Sequence, residues 1–111
     1  YLIAEKKLTS NDWTQIFKIS SHCKRNDYNL DYFPCNFIKK NNTIYYIDYE
    51  INSYEPQWDF IHWGIYYWIN SEGMKTFLKT NDFHAINLND LGIPIQQPFL
   101  KIKKNLLEKY L

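Results

Sequence analysis

Apolar and polar positions alternate with two different periods along this chain. Trp13, Ile16, Phe17 and Ser20 recur at three-and-four spacing. That predicts a helix capped by Ser10 or Asn11 and closed by Lys24-Arg25-Asn26-Asp27. Residues 36–40 and 43–50 read instead as two strands, with Lys39-Lys40-Asn41-Asn42 as the turn between them. In the second strand, alternation places Ile44, Tyr46, Asp48 and Glu50 on one face and Tyr45, Ile47 and Tyr49 on the other. A loop is expected over 52–56. Residues 57–69 then form a helix that is apolar nearly all round, the pattern of a post in the middle of a core. Asn70-Ser71 opens a further helix through Met74, Phe77 and Leu78, and 81–94 reads as irregular. Residues 96–111 form an amphipathic helix with Phe99, Ile102, Leu106 and Tyr110 on one stripe. The order predicts an α+β domain, mostly helical, carrying a small β-hairpin.

Composition supports one packed domain. The 111 residues are 45% hydrophobic and 19% aromatic, ample material for a core. The formal net charge is +1, with acids and bases interspersed, so bulk charge gives no reason to expect a nucleic-acid partner. The longest apolar-rich run, 60–69, is interrupted by His62 and Gly64 and is too short to span a bilayer, so no membrane association is expected. Tyr1-Leu2-Ile3-Ala4 is too short for a signal peptide, and a chain beginning at Tyr1 is expected to be part of a longer protein. Cys23 and Cys35 form no CxxC unit, which favours a reduced, cytoplasmic setting. His22, Cys23, Cys35 and His84 are too irregularly spaced to suggest zinc.

The candidate chemistry lies in Asp31-Tyr32-Phe33-Pro34-Cys35-Asn36 and Ile47-Asp48-Tyr49-Glu50. An Asp, an Asn five residues on and a second Asp twelve residues later follow the order in which kinase-type enzymes present a base and two magnesium ligands. Magnesium favours carboxylate, amide and water oxygens, so Asn36 and Asp48 are of the right type to ligate Mg2+, while Asp31 could accept a substrate proton. Asp48 shares its strand face with Ile44 and Tyr46, where an unpaired acid is costly. Asp59 opens the apolar helix, where an acid is favoured by the helix dipole, and His62 stands one turn away to pair with it. Tyr54, Trp58, Trp63 and Tyr67 are expected to pack first and to line a pocket for a cationic or sugar molecule second.

Taken with the intervening hairpin and Trp58-Asp59-Phe60, these segments resemble the C-terminal lobe of the aminoglycoside phosphotransferase and choline kinase superfamily, over residues 29–68. The resemblance implies a protein-kinase-like fold and ATP- and Mg2+-dependent phosphorylation of a small-molecule hydroxyl. It implies Asp31 as base, Asn36 and Asp48 as metal ligands, and Asp59 as a brace for the loop. Glu50 matches an acidic position two residues after the metal-binding Asp. Three positions depart from the pattern: Asn29 stands where the family has His, and Leu30 and Cys35 stand where Gly is frequent. With only Gly64, Gly73 and Gly92 the chain has no phosphate-cradling Gly-rich loop, so ATP binding is expected to need an N-terminal lobe absent here. Two other readings stay open at this point: a non-catalytic kinase-like binding module, and an unrelated small α+β interaction domain.

Overall fold

A computed structural model describes residues 8–89 and 91–111; Tyr1-Leu2-Ile3-Ala4 lies outside the described residues. The domain is α+β and mostly helical. Helix α1, Ser10–Arg25, is capped one residue earlier than the sequence predicts. Asp12 decides this. It stands three residues after Thr9, so the Thr9 hydroxyl accepts from the Asp12 N–H (3.2 Å) and the Asp12 carboxylate accepts from the Thr9 N–H (2.9 Å), a closed capping box.

Two antiparallel strand pairs are nested. The inner pair is the expected hairpin, β2 (Phe37–Lys40) with β3 (Thr43–Tyr46). Its turn is shorter than expected, because Asn41 and Asn42 both adopt left-handed backbone (φ 51° and 65°) and close a two-residue loop. The outer pair joins β1 (Tyr28–Leu30) to β4 (Ile51–Ser53), with Asn29 opposite Asn52. Neither outer strand is legible in the sequence, since three residues are too few to show a period.

The second strand stops at Tyr46, four residues before the predicted end. Tyr46 pairs with Phe37, the first residue of β2, and upstream of Phe37 the chain coils into a 3-10 turn, Pro34–Asn36. Ile47 makes one more bond, to the Asn36 carbonyl (2.8 Å), and beyond it no partner strand remains. Residues 47–50 therefore form a loop, and Asp48 and Glu50 do not lie on a sheet face. The alternation holds only as far as the ladder does: Ile44 is buried and Tyr45 is exposed.

The apolar segment 57–69 is not one continuous α-helix. A 3-10 turn, Pro56–Trp58, precedes Asp59, which caps a π-helical turn, Phe60–Gly64, that runs into α2, Ile65–Ile69. Phe60, Ile65, Tyr67 and Trp68 are buried, as a central post requires. Gly64 permits the close approach of this post to the loop after β1, since a Cβ there would lie 2.5 Å from the Tyr32 Cβ. Helix α3, Ser71–Thr80, is capped by Asn70, whose side chain accepts from the Gly73 N–H. Helix α4, Leu100–Tyr110, starts later than predicted, because Pro98 disfavours helical backbone at the residue before it. It packs through Phe99, Leu106, Leu107 and Tyr110, while Ile102, expected on the buried stripe, is exposed. Among the described residues, no helix is long and apolar enough to cross a membrane.

Candidate functional site

Nesting one strand pair inside the other brings two loops together. Residues 31–36 lead from β1 to β2, and residues 47–50 lead from β3 to β4, so both cross the gap between the pairs. Asp31, Asp48 and Glu50 converge there. One carboxylate oxygen from each lies within 4.8 Å of those of the other two. Asp31 and Asp48 are half-buried and Glu50 is exposed.

Local hydrogen bonds fix the acids. Asp31 Oδ1 accepts from the Phe33 N–H at 3.2 Å, and Asp48 Oδ1 accepts from the Tyr49 N–H at 2.7 Å. Glu50 Oε1 accepts from the Asn52 amide at 3.1 Å. The Asn36 amide donates to the Asp31 main-chain carbonyl at 3.2 Å, which braces the loop across its own width. No donor among the described residues bonds to the second oxygen of Asp48 or Glu50, or to Asn36 Oδ1. Burial pushes the Asp31 carboxyl above its ordinary range, and the charges of Glu50 and Asp48 add to this, against the Phe33 N–H and the Asn36 amide. The three carboxylates are hard oxygen donors, the kind a Mg2+ or Ca2+ ion takes, and a bound cation would relieve the repulsion between the acids; the Asn36 side chain is engaged through its N–H on the Asp31 carbonyl and is not one of the converging group.

Glu50, which the resemblance implies only as an acidic position two residues after the metal-binding Asp, enters the acidic group itself. Asn29 is buried, and its amide donates to the Glu55 carbonyl at 2.9 Å, tying β1 to the segment after β4. Asp59 is also buried but stands apart from the acidic group. Its carboxylate accepts from the Tyr54 hydroxyl (2.8 Å) and the His62 N–H (2.7 Å), with His62 Nδ1 at 2.9 Å. Burial, with the Asp59 hydrogen bond and charge, pushes the Tyr54 hydroxyl up to about 12. The side-chain hydrogen bonds of Asp59 thus brace residues 54–62, and reach neither Asp31 nor Asn36.

A cleft of about 310 Å³ opens beside Asp31 and Glu50, with Asn29, Glu55, Trp58 and Trp63 in its walls. Trp58 and Trp63 meet edge to face at 5.9 Å. Tyr54 and Tyr67 are not in the lining; Tyr67 instead donates to Asn87 Oδ1 at 2.6 Å. Sequence reasoning passed over Tyr46 as a sheet residue. Its hydroxyl accepts from the Asp31 N–H at 3.0 Å and donates to the Glu50 carbonyl at 2.8 Å. No signal short of the fold itself would have revealed that bridge, because the two partners lie fifteen residues upstream and four residues downstream of Tyr46.

No protein-family model, no curated protein and no solved structure matches this chain. The reading of the site therefore rests on its own residues.

Proposed function

We propose that the chain is the catalytic lobe of an ATP- and magnesium-dependent phosphotransferase that acts on a hydroxyl group of a small molecule. The observation that carries this reading is the convergence of Asp31 and Asp48, seventeen positions apart, on one point between the two nested strand pairs. The order of residues matches the resemblance to the aminoglycoside phosphotransferase and choline kinase superfamily. The closeness of Asp31 and Asp48 supports the roles this reading gives them.

In this reading Asp48 and Asn36 hold Mg2+, with Glu50 as a further carboxylate beside them. The ion, when bound, neutralises phosphate charge and orients the γ-phosphoryl group. The acceptor hydroxyl oxygen attacks the γ-phosphorus, the bond to the β–γ bridging oxygen breaks, and ADP leaves with that electron pair. The hydroxyl proton passes to Asp31. Partial burial and neighbouring charge make Asp31 a better proton acceptor than a solvated carboxylate. The cleft beside it has the volume of a small-molecule site. The chain has three glycines and no Gly-rich phosphate loop, so the nucleotide cradle is assigned to an N-terminal lobe outside this chain.

The test is transfer of the γ-phosphoryl group from ATP to a panel of small hydroxylated compounds by the intact protein that carries this chain. Transfer that depends on Mg2+ and is lost in Asp31→Asn and Asp48→Asn is expected. Transfer that survives Asp48→Asn unchanged overturns the assignment.

A further inference from the structure

We infer that Tyr46 is a positioning residue whose hydroxyl sets the separation between the loop carrying Asp31 and the loop carrying Asp48 and Glu50. The inference rests on the metal reading above for its functional consequence, but its geometry stands alone. Each acid is held mainly within its own loop: Asp31 by Phe33 and Asn36, Asp48 by Tyr49, Glu50 by Asn52. Between the two loops the described hydrogen bonds are few. Ile47 bonds to the Asn36 carbonyl at the base of the gap, and the Tyr46 hydroxyl spans its mouth with one bond in each direction.

Tyr46 is suited to this task. It is the last residue of β3, and its main chain is fixed by pairing with Phe37. Its ring lies 5.1 Å from the Phe37 ring, and Phe37 is wholly buried. The hydroxyl therefore projects from an anchored ring, and both its donor and its acceptor capacity are used on main-chain groups. Neither loop can drift outward without breaking one of its two bonds.

Spacing between the acids matters most for a small ion. Mg2+ demands short, near-octahedral contacts, whereas Ca2+ tolerates longer and more irregular ones. A loosened site should lose Mg2+ affinity more than Ca2+ affinity, and a general loss of stability would not produce that change in preference.

The experiment uses the 111-residue chain and its Tyr46→Phe variant, which removes the hydroxyl and keeps the ring. Calorimetric titrations with Mg2+ and with Ca2+ give affinities, and amide hydrogen exchange without added metal reports the staple directly. In Tyr46→Phe, Mg2+ affinity is expected to fall about tenfold, Ca2+ affinity less, and the Asp31 amide to exchange at least about tenfold faster, each on the scale of one lost hydrogen bond. The Ile44 amide, which donates to Gln15 Oε1 at 2.9 Å and bonds to neither loop, should be unchanged. Equal Mg2+ and Ca2+ affinities in variant and parent, with Asp31 exchange unaltered, overturn the positioning role and leave the metal reading intact. A parent that binds neither ion overturns the metal reading, and faster Asp31 exchange in the variant then still supports the staple.

Discussion

The indole N–H of Trp68 donates to the main-chain carbonyl of Tyr32 over 2.8 Å, and both residues are about 1% exposed. The loop that bears Asp31 is thereby hung from the central helix. Trp68→Phe should leave that carbonyl buried without a partner and a void beside Phe37 and Phe60, whose rings lie 5.2 and 5.7 Å from the indole. The expected loss is about 3 kcal/mol, measured by urea unfolding. A change below about 1 kcal/mol would mean that the loop holds itself.

Gly64 tests the same contact from the other side. In an ordinary helix Ala would be better than Gly by about 1 kcal/mol. Here the added Cβ would stand 2.5 Å from the Tyr32 Cβ, and Tyr32 is confined by Phe37 and Phe60. Gly64→Ala is therefore expected to destabilise by about 2 kcal/mol. Thermal unfolding at unchanged or raised midpoint would show that Tyr32 can yield.

Asp12 joins α1 to the hairpin. Lys39 Nζ lies 3.0 Å from its Oδ1, and the carboxylate is nearly fully buried. Burial pushes this carboxyl up, but the Thr9 N–H, the Lys39 ammonium and the Thr9 hydroxyl outweigh it and hold the group below its ordinary range. The folded state thus binds this proton less readily than the unfolded chain. The stability it contributes is complete above the unfolded value near 3.8 and is lost as pH falls through the lower folded value. Asp12→Ala should cost about 2–3 kcal/mol at pH 7 through the lost cap and the stranded lysine, and markedly less at acid pH. Urea midpoints at pH 7 and pH 2 measure this.

Asp31 has the opposite sign. Its folded carboxyl is held above 3.8 by burial and by Glu50 and Asp48, so the folded protein binds this proton more readily than the unfolded chain. Stability falls as pH rises through the window above 3.8 and stays reduced beyond it. Without added divalent ions, Asp31→Asn is expected to be more stable than the parent at pH 7 and equal to it near pH 3. A variant that is less stable at pH 7 would show that the carboxylate is a structural anchor rather than a functional acid held at a cost.

Much of the helical frame was legible, because α1 and α3 have enough turns to display their period. The α+β class followed from them and from the Asn41-Asn42 hairpin. The boundaries failed where a contact remote in sequence decides. Tyr46 ends β3 because the chain upstream of Phe37 turns, and Ile102 faces outward because α4 docks through Leu106 and Leu107. For the candidate site, residue types and order pointed to Asp31, Asn36 and Asp48. The sequence could not give the nesting of β2–β3 within β1–β4, since each outer strand has only three residues. That nesting brings Glu50 to Asp31 and gives Tyr46 its two partners.

The most direct measurement is a Mg2+ titration of the isotopically labelled 111-residue chain, followed at each backbone amide, with Asp48→Asn in parallel. Saturable shifts centred on residues 31–36 and 47–50, and abolished in Asp48→Asn, are the expected result. Shifts that never saturate, that centre elsewhere, or that persist unchanged in Asp48→Asn would contradict a divalent-cation site between the two loops, and with it the proposed phosphotransferase.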